Sequence, residues 1–190
     1  MPTDKPATAA SPQLKSSKNN HVSMTTLSLG GLVLSPASHC IALSTENQGP
    51  QDTAAPTFDD IDQAGQLLAE GLANLSGRRL QSIPDSRLQM NVAFHAMGGA
   101  AGDTQSRVPI CIGFSRSVSS RFEGLEEKMN PFQQEGHPAF AFRVVVEGPH
   151  GAFLSASSPA FLTAAVEFFI QQFHESEGNL VCIDHLEPIV

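Results

Sequence analysis

Residues 158–173, "SPAFLTAAVEFFIQQF", constrain the fold more than any other stretch. Ser158 supplies a helix cap and Pro159 a first-turn proline, so a helix is predicted to start there. From residue 160 to 173 apolar side chains point in nearly every direction, and Thr163, Glu167, Gln171 and His174 form the single polar stripe. Such a helix needs cover on most of its circumference. It is therefore expected either inside a core or against another protein. For the second case the candidate binding residues are Phe161, Val166, Phe168, Phe169 and Phe173.

The rest of the chain shows where a core can be built. All 12 Phe lie at or beyond position 58, and the 190 residues include no Trp or Tyr. Phe packs a core but has no polar handle for a wet surface. Residues 1–57 balance Asp4, Glu46 and Asp52 against Lys5, Lys15 and Lys18, so the remainder carries the whole net charge of −8. These shifts place a boundary near Pro56, with an N-terminal extension over 1–56 and one domain over 57–190. Residues 1–23 are rich in Ser, Thr, Pro, Ala and Asn and bury too little to offset their ordering entropy. Residues 24–45 hold two apolar runs around Ser35-Pro36-Ala37-Ser38, readable as a docked hairpin or as part of a detachable arm. "ENQGPQDTAAP" then reads as a linker.

The domain is expected to open with a helix capped by Thr57, with Asp59 and Asp60 in its first turn. Its apolar stripe is Ile61, Ala64, Leu68, Leu72 and Leu75, and Ser76-Gly77 ends it. Strands are predicted over 88–97 and 107–114 around "GGAAGDTQS", followed by a helix carrying Val118, Phe122, Leu125 and Met129. A hairpin is predicted from "AFAFRVVVE" and "AFLSAS" across Gly148-Pro149-His150-Gly151, and a last strand over 179–186. The fold expected from this order is α+β: an antiparallel sheet of four to five strands covered by three helices.

Charge and cysteines narrow the function classes. An acidic domain repels phosphate backbones, so no nucleic-acid partner is expected. No apolar stretch reaches 18 residues, so no membrane span is expected, and no secretory signal core precedes residue 24. Cys40, Cys111 and Cys182 are too few and too far apart for a disulfide framework, which points to a reducing, cytoplasmic compartment. The seven His show no metal spacing, so neither a metal nor a cofactor is expected.

Nucleophilic chemistry has three weak candidates. Gly113-x-Ser115-x-Ser117 follows a predicted strand and precedes a helix, the setting of a nucleophile elbow. Yet Asp184 and His185 are strand neighbours facing opposite ways and cannot complete a triad, so a helix-start role fits Ser115 better. Cys111 and Arg116 resemble the cysteine-phosphatase loop but are one residue too close. Cys40 adjoins His39, and adjacent residues rarely share a productive geometry. Arg143, Ser155-Ala156-Ser157 and Glu175-Ser176-Glu177 resemble the mono-ADP-ribosyltransferase order at too compact a spacing for that cleft.

The opening "TFDDIDQAGQLLAEGLANLSGRRLQSIP", the "AFAFRVVVEGPHGAFLSAS" hairpin and the "SPAFLTAAVEFFIQQF" helix resemble, in order, the class I chaperones of type III secretion. The likeness covers about two-thirds of the chain and is one of element order, size and acidity. It implies a homodimeric adaptor that binds another protein along an apolar helix face or sheet edge. The chain departs by one strand fewer before the middle helix, an added C-terminal strand and the long extension. That Ser/Thr/Pro/Asn-rich extension resembles effector secretion signals, which implies the alternative of a small translocated hydrolase or transferase acting in a host cell.

Overall fold

The structure, a computed structural model, describes residues 26–46, 55–88, 107–113, 142–146, 151–176 and 179–182. Strands β1 (Thr26–Leu29), β2 (Leu32–Val33) and β3 (His39–Leu43) precede helix α1 (Phe58–Ser76). Strand β4 (Ser82–Pro84), a helical turn over residues 85–88, and strands β5 (Val108–Ile112), β6 (Phe142–Val146) and β7 (Ala152–Ala156) follow. Helix α2 (Pro159–Gln171) leads into β8 (Phe173–Ser176) and β9 (Asn179–Cys182). The strands form a five-stranded sheet in the order β4-β3-β5-β7-β6 and a four-stranded sheet in the order β2-β1-β9-β8.

Helices and sheet are mixed as expected, but the antiparallel sheet is not what forms. β3 pairs parallel with both β4 and β5, β5 pairs parallel with β7, and β6 pairs antiparallel with β7. The cause is His39–Leu43, a strand assigned on sequence to the extension. It lies between β4 and β5, so α1 is the crossover joining two parallel strands rather than the first element of the domain. All five of its residues are buried, as are all five of β6 and of β7. Such strands are covered on both faces, and this explains runs like Cys40-Ile41-Ala42-Leu43 that do not alternate. Residues 24–45 thus supply three strands: β1 pairs antiparallel with β2 and parallel with β9, while β3 enters the larger sheet.

Two of the three predicted helices lie among the described residues, and they form for local reasons that can be named. Thr57 caps α1 by accepting from the Asp60 N–H, and Asp60 returns the bond to the Thr57 N–H at 2.8 Å. Ile61, Ala64, Leu68 and Leu72 are buried as the stripe requires, and Gly77 closes the helix on the Ala73 carbonyl. Ser158 caps α2 and Pro159 opens it, burying Leu162, Ala165, Val166 and Phe169. The predicted helix over 118–129 lies outside the described residues, as does the strand predicted over 88–97 apart from Leu88, which ends the helical turn instead.

One large apolar core joins α1 and α2 to one face of the sheet. Ile41, Leu43, Ile110, Ile112, Val144, Val146 and Leu154 meet the helices there, and Leu27 and Leu29 of β1 join the same cluster. The opposite face forms a second cluster from Cys40, Ala42, Cys111, Val145, Phe153 and Leu88.

Candidate functional site

The strand order makes one place on this sheet special. The chain leaves β3 toward β4 on one side, and leaves β5 toward β7 on the other. Open α/β sheets bind ligands at such a switch point, in the crevice beyond the carboxyl ends of the strands. Here that edge is formed by Ser44-Thr45-Glu46 after β3, Asp85 after β4 and Gly113 after β5.

Backbone bonds carry the sheet past its last residues and fix these groups. The Ser44 N–H donates to the Ile112 carbonyl at 2.9 Å and the Gly113 N–H to the Leu154 carbonyl at 2.9 Å. Gly113 has a φ of +79°, and a Cβ there would press on Ile61 and on the Ser44 Cβ. The tight approach of β5 to β3 and α1 therefore requires glycine. Ser44 is buried; its hydroxyl donates to the Glu46 carbonyl at 3.2 Å and accepts from the Glu46 N–H at 3.3 Å, turning the chain after β3.

Asp85, directly after the outer strand β4, is the buried acid of this edge. It is only 2% exposed, and its Oδ1 accepts from the Thr45 N–H at 3.2 Å and the Thr45 hydroxyl at 2.7 Å. Hydrogen bonds to a charged group contribute about 1.5–3 kcal/mol each, so Thr45 firmly ties the end of β3 to the end of β4. Its Oδ2 is buried without a hydrogen-bond partner. The start of α1 faces the same edge, where the Thr57 hydroxyl accepts from the Asp60 N–H and the Asp60 carboxylate accepts from the Thr57 N–H. Thr57 hydrogen bonds, first from the side chain and then from the backbone, hold the Asp60 carboxyl below its ordinary range. Among the described residues that follow β3 and β4 or start α1 are the acids Glu46, Asp59, Asp60 and Asp85 and the base Arg87. The unpaired, buried Asp85 oxygen favours a cation or a hydrogen-bond donor as its partner.

The residues singled out on sequence are placed very differently. Cys40 and Cys111 share the second apolar cluster on one face of the sheet, and both are buried. Cys40 is 0% exposed; burial pushes its thiol up to about 11, with Arg107 acting in the opposite direction. A thiol so placed is not a thiolate at neutral pH. His39 precedes it on the strand and so points to the other face, where its Nδ1 lies 2.7 Å from the Ser38 hydroxyl. Burial holds the His39 imidazole below its usual range. The pleat thus separates His39 from Cys40 as a dyad. Ser115, and the Asp184 and His185 weighed beside it, lie outside the described residues.

The candidate binding residues of the helix divide in the same way. Val166, Phe169 and Phe173 are buried, and Phe169 meets Phe173 edge-on with centroids 5.4 Å apart. Phe168 is half-buried, 5.9 Å from Phe142. Of the five, Phe161 is the exposed one, at 43%, and Phe58 at the start of α1 is 46% exposed. Both helices run back against their parallel strands, so both phenylalanines stand at the carboxyl edge.

Thr45, Asp85 and the arginines below β4 and β5 escaped the sequence reading. The one local signal was the polar Ser44-Thr45-Glu46 following an apolar run. No helix among the described residues is long and apolar enough to cross a membrane, and none of their His, Cys, Asp and Glu cluster in threes as metal ligands would. Comparison with models of known protein families gives no match, and comparison with curated proteins gives none either.

Proposed function

We propose that the chain is a ligand-binding α/β domain whose site is the carboxyl edge above β3 and β5, and whose ligand presents a positive charge or strong hydrogen-bond donors. The observation that carries this reading is Asp85, a buried carboxylate beside the switch point with one oxygen held by Thr45 and the other without a partner. A buried acceptor left unpaired costs about 1–3 kcal/mol, more when charged, and a donor from a ligand removes that cost. Phe58 and Phe161 offer apolar surface at the same edge for the body of such a ligand.

A thermal-shift series with diamines, guanidines and polyols tests the reading. Amine-bearing compounds should stabilise the wild type, and Asp85→Asn, which keeps an acceptor for Thr45, should bind them at least ten-fold more weakly. Equal stabilisation of both proteins, or of neither, would contradict it.

The exposed Phe58 and Phe161 favour a second reading, the protein-binding adaptor suggested by the likeness to secretion chaperones. In that reading the edge receives a basic, apolar segment of another protein or of a second copy of this chain. Light scattering separates the cases: a dimer that Phe161→Asp converts to a folded monomer supports the adaptor, and a wild-type monomer removes the homodimer from it.

A further inference from the structure

A cleft lies at the opposite, amino-terminal edge of the sheet, away from Asp85. It encloses about 570 Å³ and is lined by Pro36, Gln66, Arg79, Leu80, Gln81, Ser82 and Arg107. That volume suits a small organic molecule, for which sites of about 300–1,000 Å³ are usual. Its charge runs against that of the molecule. In a chain of 19 acidic and 11 basic residues, the described residues that line this cleft include two arginines and no acid.

The sequence "RRLQS" explains how the two guanidiniums come together. Leu80 is buried, which anchors the segment and leaves its neighbours Arg79 and Gln81 exposed. The Gln81 carbonyl holds this segment against β3 by accepting from the Ile41 N–H at 2.9 Å. Arg107 precedes β5, two strands away from β4, and reaches across the start of β3 to donate from Nη1 to the Gln81 Oε1 at 3.0 Å. That bond fixes the guanidinium and leaves its remaining N–H groups for a ligand. Arg79 makes no ion pair among the described residues. It is not needed at the end of α1, where the Gly77 N–H and the Ser76 hydroxyl already take the Ala73 and Leu72 carbonyls. Asp62, one turn before the lining residue Gln66 on α1, accepts from the Gln66 amide at 2.7 Å.

We propose that this cleft binds a small organic oxyanion, with Arg79 and Arg107 holding its phosphate or carboxylate group and Pro36 and Leu80 supporting its uncharged body. Guanidinium groups pair with both oxyanions through two parallel N–H bonds, and such bonds are stronger than neutral ones. Two cations confined to one cleft also repel each other, and an anion between them removes that repulsion. The site is independent of the carboxyl edge and survives if the ligand proposed there is wrong.

The test is titration calorimetry of the full chain at low ionic strength with inorganic phosphate, pyrophosphate and citrate, and with sodium chloride at matched ionic strength as control. At least one oxyanion should bind saturably with one site per chain, and sodium chloride should not. Tighter binding of pyrophosphate marks a phosphate-bearing ligand, and tighter binding of citrate marks a polycarboxylate. Arg79→Gln and Arg107→Gln should each weaken binding at least ten-fold without changing the circular dichroism. Should Arg107→Gln fail to fold, the Arg Nε signals of the wild type replace it, and those of Arg79 and Arg107 should shift on titration. Saturable binding by none of the three anions would overturn the proposal. So would binding that persists in the double variant, or that leaves both Nε signals unmoved.

Discussion

A chain beginning at Ala55 would lack β1, β2 and β3, and the structure gives the consequence a magnitude. Leu27, Leu29, Leu34, Ile41 and Leu43 are all buried and belong to the main core. At about 1.5–3 kcal/mol for each fully buried aliphatic side chain, those five contribute roughly 8–15 kcal/mol. Domains of this size are stable by about 5–15 kcal/mol in all, so the loss consumes the whole margin. The topology adds to it: among the described strands β4 pairs with β3 alone, and β5 would expose the edge that β3 now covers. The shortened chain should therefore show no cooperative thermal transition by circular dichroism and no dispersed amide spectrum. Ile41→Ala in the full chain should cost about 2–5 kcal/mol in urea unfolding. A soluble chain from Ala55 with an unchanged melting temperature would refute the placement of β3 in the sheet.

Three further outcomes follow from particular contacts. Gly151 has a φ of +122°, and a Cβ there would run into the Pro109 carbonyl oxygen of the neighbouring strand, so Gly151→Ala should cost about 3 kcal/mol or more in urea unfolding; a cost under about 1 kcal/mol would show that the two strands are not so close. His39 is buried with its pKa lowered, so below its unfolded value near 6.5 the unfolded chain takes up a proton that the folded chain resists. Its contribution is whole above pH 6.5 and is lost as pH falls below it, by at most about 1.4 kcal/mol per pH unit, and His39→Gln should flatten that slope; an identical pH profile in the variant would contradict the assignment. With Cys40 buried and its thiol pushed up to about 11, iodoacetamide at pH 7.5 should leave Cys40 and Cys111 unmodified in the native protein and label both in urea; rapid native labelling of Cys40 would restore it as a nucleophile.

How far the molecule could be read in advance depended on the range of the forces involved. α1 was legible throughout, because cap, stripe and terminating glycine all lie within one segment from Thr57 to Gly77. The start of α2 and the strand pair β6–β7 were legible for the same reason. The direction of the sheet was not. It depends on His39–Leu43 pairing with residues 82–84 and 108–112, and nothing local distinguishes a buried parallel strand from an apolar run in an extension. β4 is three residues long and ends on Pro84, tolerable at a sheet edge but too short to show a period. Phe169 and Val166 were visible as apolar, but whether they meet a core or a partner is settled only by the sheet beneath them. Asp85 was harder still: its bond to Thr45 spans 40 residues of sequence, and Arg107 meets Gln81 across 26.

The most direct measurement for the carboxyl-edge site is fluorine NMR of the protein labelled with fluorophenylalanine, supported by amide spectra. Its 12 phenylalanines include exposed reporters at that edge, Phe58 and Phe161, and a fully buried one in Phe169. An amine-bearing ligand that stabilises the protein should shift Phe58 or Phe161 together with the amides of Thr45, Asp85 and Gly113, and leave Phe169 unmoved. Shifts confined to other parts of the molecule, with those amides unchanged, would contradict a binding site at the carboxyl ends of β3 and β5.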